Sequence, residues 1–152
     1  MYFVTVFHLL FLLPVLSVIA EALHIGAGAD IMWLVGKWFV FWACGVRLLL
    51  AGIMQTSRPE FTAKSIFAID APAAAAIVRE VGFGNLAMGT LGLASLAEPS
   101  WVVPAAIVAG LYYGLAGLGH LFRKGNLKEQ IALWSDLGIF LLLAAFVISR
   151  WA

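Results

Sequence analysis

The chain has 152 residues, 64% hydrophobic and 11% charged, with nine basic residues against eight acidic ones. A charged share so far below the roughly 25% of ordinary soluble domains excludes a water-soluble globular fold and places the chain in a lipid bilayer. The nearly neutral balance without a basic tract excludes nucleic acid as a partner.

Five apolar stretches follow one another, each of a length that crosses a hydrocarbon core of roughly 30 Å as a helix. The first, residues 2–20, reads YFVTVFHLLFLLPVLSVIA. The SVIAEA string behind it imitates a signal-peptidase site, but no Lys or Arg precedes it and the run is long for a signal core, so a retained span is expected. His8 and Pro14 lie inside it and are read as packing features. The second stretch, residues 31–54, holds Lys37, Cys44 and Arg47. Cys44 is the single cysteine, which excludes an intramolecular disulfide and any CxxC motif.

The connection SRPEFTAKSIFAIDAP follows. Phe61, Ile66, Phe67 and Ile69 give it enough apolar surface for a short interfacial helix, with a solvated loop as the alternative. The third stretch, residues 80–97, is the shortest. It extends upstream if Asp70 caps a helix with Pro72 in its first turn. The fourth, residues 101–122, carries Tyr112, Tyr113 and His120, and the fifth, residues 131–151, carries Asp136. β-Barrel strands are about ten residues long and alternate, which these runs do not. The expectation is an all-α polytopic bundle of five transmembrane helices, a single integral membrane domain over residues 1–152.

Positive charge near span ends marks the cytoplasmic side. Five crossings put Arg58, Lys64, Arg123, Lys124 and Lys128 on one side with the amino terminus. Glu21, Asp30, Glu98 and Arg150 fall on the other with the carboxyl terminus. The expected location is a bacterial inner membrane with the amino terminus inside. Lys37 is a minor complication, since its long stem could snorkel to the outer face. Trp33, Trp101 and Trp151 near outer ends and Trp134 near an inner one fit an interfacial belt.

This topology places Arg47, Glu80, Asn85, His120 and Asp136, from four spans, in the same membrane half, with Arg79, Tyr112 and Tyr113 flanking. Ionisable groups inside spans generally face the bundle interior and pair there. Arg47 is expected to pair with Glu80 or Asp136. The layer reads either as a pocket for a small polar or ionic ligand or as a structural network holding the helices together. Glycines at 82, 84, 89, 92, 110, 114 and 117 allow close helix approach.

Glu80 or Asp136 with His120 could relay a proton, but no activated nucleophile is evident. The sequence also lacks a GxGxxG, Walker, HExxH or GxSxG motif. No metal centre and no cofactor is expected. The partners expected are the lipid bilayer, a small polar or ionic ligand, and further copies of the chain, because transport through such short spans would need a homo-oligomer.

The strings KWFVFWACGVRLLLAGI, IVREVGFGNLAMGTLGLASL, GLYYGLAGLGHLFRKGN and IALWSDLGIFLLLAAF, covering roughly residues 33–150, resemble a bacterial family of small uncharacterised integral membrane proteins. That family is loosely similar to DoxX-like helical bundles. The resemblance implies a helical membrane bundle and no assigned reaction.

Overall fold

The computed structural model describes residues 2–65, 69–121 and 127–152. Arg123, Lys124, Ile66, Phe67 and the side chain of Lys128 lie outside this description. Six helices are present among the described residues: α1 (Phe3–Gly28), α2 (Ile31–Ser57), α3 (Pro59–Ser65), α4 (Pro72–Ala94), α5 (Pro99–Leu121) and α6 (Leu127–Ser149). Helices suit these apolar runs because every backbone N–H and C=O finds its partner within the segment, with no water needed.

Local chemistry sets the ends. Gly26, at φ 79°, closes the α-helical part of α1 in a backbone region that disfavours a Cβ. Asp30 starts α2 by accepting a hydrogen bond from the Trp33 backbone N–H at 2.9 Å. Pro72 opens α4, but Asp70 does not cap it. Ala71 is the cap residue, and the Asp70 carboxylate instead sits 2.8 Å from Lys64 on the surface. Glu98 turns the chain into α5 by accepting from the Ser100 hydroxyl at 2.6 Å. This contact and the Ser100 N–H hold its carboxyl below its ordinary range.

The five-span expectation is corrected by composition. Four helical segments are long and apolar enough to cross a membrane: Phe3–Gly28, Ile31–Ser57, Pro99–Leu121 and Gln130–Ser149. α4 has the length but not the hydropathy, since the helix that actually forms takes in Arg79, Glu80 and Asn85 and stops at Ala94. Its position explains the composition. Gly82 already faces Gln55 and Thr56, just short of where α2 ends at Ser57. The turns before Gly82 therefore extend past α2, where Ala74 and Val78 pack with Ala63 of α3. α3 is the short helix expected in this connection.

From Gly82 onward α4 runs antiparallel to α2 along a glycine seam. A Cβ at Gly52 would lie 2.7 Å from the Leu86 nitrogen, one at Gly89 2.5 Å from the Leu49 nitrogen, and one at Gly45 2.9 Å from the Leu93 nitrogen. α5 and α6 pair in the same antiparallel way, with Gly114 against Phe140 and Gly117 against Leu137. The main core lies between α1, α2, α5 and α6, where Leu10, Val40, Leu48, Ile139, Leu143 and Phe146 are almost completely buried.

The α1–α2 hairpin holds a polar cluster inside two spans. Lys37 Nζ donates to both Glu21 carboxylate oxygens at 2.7 and 2.8 Å. Trp38 Nε1 donates to the same carboxylate at 2.6 Å, and Trp42 Nε1 donates to Ser17 Oγ at 3.0 Å. At the same end Arg150 Nη1 meets Asp30 Oδ2 at 2.9 Å, so this end of the bundle holds the carboxyl terminus. The amino-terminal part of α1 lies at the opposite end, against α6 residues such as Ile131 and Trp134.

Candidate functional site

The site is organised by a break in α2. Between Val40 and Arg47 the backbone is π-helical, a wide turn often found where a helix serves a function. The break is tied on two sides. The Ala43 carbonyl accepts the Tyr113 hydroxyl of α5 at 2.7 Å, and Cys44 Sγ donates to the Met88 carbonyl of α4 at 3.2 Å. Both contacts are worth more for being buried, since an unmade polar contact in an apolar core costs its full desolvation. They fix the phase of the turn that ends at Arg47.

Arg47 acts electrostatically on Asp136 of α6 and on both tyrosines of α5. Asp136 is buried although its side chain is ionisable. Two turns along α2 from Arg47, on the same face, Gln55 accepts a hydrogen bond through Oε1 from Asn85 Nδ2 of α4 at 2.7 Å. Asn85 is 1% exposed, and its Oδ1 has no hydrogen-bond partner among the described residues. Its amide also neighbours the Tyr112 hydroxyl.

A cleft opens onto this arrangement. It measures about 290 Å³ and lies between the first turns of α1, the second half of α2 and α3. Arg47 and Gln55 contribute its charged and amide groups, and Thr5 and Thr62 contribute hydroxyls. Its other walls are aliphatic or aromatic. Arg47 thus has two faces, one toward buried Asp136 and one toward a cavity.

The structure brings Arg47, Asn85, Asp136, Tyr112 and Tyr113 into one region. Glu80 and Arg79 are exposed on the outer side of α4. His120 is half-buried near the end of α5 with its Nδ1 unpartnered, and no described interaction joins it to the others. Among the described residues no three His, Cys, Asp or Glu side chains come close enough together to hold a metal ion.

Sequence reasoning missed Gln55, although Arg47, Ala51 and Gln55 recur at the four-residue spacing of one helix face. It also missed Glu21 as the partner of Lys37. The signal there was two tryptophans, Trp38 and Trp42, facing Glu21 and Ser17 at matching four-residue intervals.

No curated protein and no solved structure matches the chain. A family model described as "Family of unknown function (DUF6790)" matches residues 1–152, and the chain belongs to that family.

Proposed function

We propose that the chain is a small-solute-binding integral membrane protein whose site is the cleft bordered by Arg47 and Gln55. One observation carries the reading: an arginine inside a membrane span lines a cavity rather than only a packed ion pair. An ionisable group at that depth is costly unless it serves a partner or a pathway, and here the cavity supplies a place for one. Asn85, Tyr112 and Asp136 stand behind Arg47 and Gln55 and hold their positions.

The cleft opens at the end of the bundle that carries Arg58 and Lys64. The positive-inside rule supports a cytoplasmic orientation for that end of the bundle in a bacterial inner membrane. Transport is the larger role this site would serve, and it would call on a homo-oligomer because one copy has so few spans. The likeness to DoxX-like bundles adds architecture to this reading and no reaction. A purely structural role for the layer is favoured by one observation, the Gln55–Asn85 hydrogen bond that joins α2 to α4.

The two readings separate in one experiment. Purified protein in nanodiscs is heated with a broad panel of small anions, cations and neutral solutes, beside an Ala51→Trp variant whose indole fills the cleft. A binder stabilises the folded state by mass action. The binding reading expects at least one solute to raise the melting temperature of the natural protein and not of the variant. A panel without effect on the natural protein, with the variant equally stable, would leave the structural role.

A further inference from the structure

We infer that the ligand of this cleft is an amphiphilic anion: an organic carboxylate with a short apolar tail. The inference rests on the binding reading above and names the class of solute.

The charge comes first. Arg47 is the one charged side chain among the described residues that line the cleft. A cation on that side would meet repulsion from the guanidinium. The planar guanidinium fork matches a carboxylate through two parallel N–H···O bonds. Gln55 contributes in the same sense. Its Oε1 already accepts one hydrogen bond from the Asn85 amide, and its Nε2 carries the N–H donors that an anionic head needs. Arginine and amide donors on one helix face suit an anionic head.

The walls define the tail. Val6 and Leu9 of α1, Leu50 and Met54 of α2 and Phe61 of α3 present only carbon and sulfur to the space. Leu50, Met54 and Phe61 are also 47%, 40% and 56% exposed. They therefore border the cleft and face the surroundings of the bundle together. In a membrane those surroundings are hydrocarbon and interface, so the mouth is open to a molecule that has already partitioned into the bilayer. A hydrophilic solute such as acetate gains nothing from such walls. At about 290 Å³ the cleft lies at the small end of ligand pockets, which run from roughly 300 Å³ upward, and so suits a small ligand.

Octanoate is the probe. Equilibrium dialysis of radiolabelled octanoate against the protein in nanodiscs, with empty nanodiscs subtracted, measures saturable binding. Unlabelled acetate, octanol, octylamine and inorganic phosphate serve as competitors. Saturable octanoate binding is expected, with each competitor weaker by about tenfold or more because it lacks tail, charge or the right charge. Arg47→Gln should weaken octanoate by about tenfold or more. Ala51→Trp should abolish binding while leaving the arginine in place, which guards against Arg47→Gln simply failing to fold.

Octanoate binding that survives both substitutions would overturn the inference. So would the absence of saturable binding. Competition by phosphate or octylamine at lower concentration than octanoate would overturn the carboxylate class while leaving the binding reading standing. The wider panel and the Ala51→Trp melting comparison decide that reading separately.

Discussion

Gly89→Ala probes the seam that holds Asn85 against Gln55. The new Cβ would lie 2.5 Å from the Leu49 nitrogen, 2.8 Å from its Cα and 2.9 Å from its Cβ. Two of these are backbone atoms of α2 and cannot rotate away. Ordinary contact begins at 3.4 Å, so the helices must part by about 0.9 Å. Overpacking of this kind costs about 1–3 kcal/mol.

Asn85 lies one turn from Gly89 on the same face, so the opening also stretches its 2.7 Å bond to Gln55. Gly84 is the control, because a Cβ there meets nothing within 4 Å. Both substitutions gain about 0.5–1 kcal/mol of helix propensity, which cancels in the comparison. Reversible unfolding in mixed micelles should find Gly89→Ala less stable than Gly84→Ala by about 1–3 kcal/mol. Equal stabilities, or a more stable Gly89→Ala, would refute close packing of α4 on α2.

Three further outcomes are expected. Gln55→Leu should cost about 1–3 kcal/mol and more than Asn85→Leu, because it takes the 2.7 Å acceptor from a buried amide whose Oδ1 has no partner among the described residues. The double Leu variant should recover part of the loss in an unfolding cycle. Lys37→Met removes two of the three described hydrogen bonds to Glu21 and should cost about 1–3 kcal/mol in the same assay, with Glu21→Gln restoring part. The Arg150 guanidinium, and then the Trp33 N–H, hold the Asp30 carboxyl below its ordinary range. A depressed carboxylate favours the fold above its unfolded pKa, and that contribution is lost as pH falls through the folded value. An NMR titration should therefore show Asp30 protonating below the usual aspartate range, and Arg150→Ala should move the midpoint back up.

Much of the fold was legible because hydrocarbon leaves a long apolar run few alternatives to helix. Four runs became helices long and apolar enough to cross a membrane. The third did not, because the apolar window from Glu80 to Ala97 and the helix from Pro72 to Ala94 are different segments. Only packing against α2 and α3 decides which one forms. The phase of α4 was partly readable too. Gly82, Asn85, Gly89 and Gly92 recur at three and four residues and share the buried face, which leaves Glu80 outside. Depth alone groups Glu80 with Asn85, whereas this glycine spacing separates them. The π-helical turn before Arg47 left no sequence mark, since no proline or polar break precedes it and it is stabilised by contacts from Tyr113 and Met88 on other helices. Glu21 was assigned to a loop because the first apolar run ends at Ala20, yet α1 continues to Gly28.

A structure of the protein in lipid nanodiscs, at a resolution that shows ordered ligands, tests the central claim most directly. The account predicts non-protein density in the cleft between α1, α2 and α3, within hydrogen-bonding distance of the Arg47 guanidinium and beside Gln55. A cleft closed by side chains, with Arg47 turned wholly into the packed layer beside Asp136 and no space beside Gln55, would contradict it.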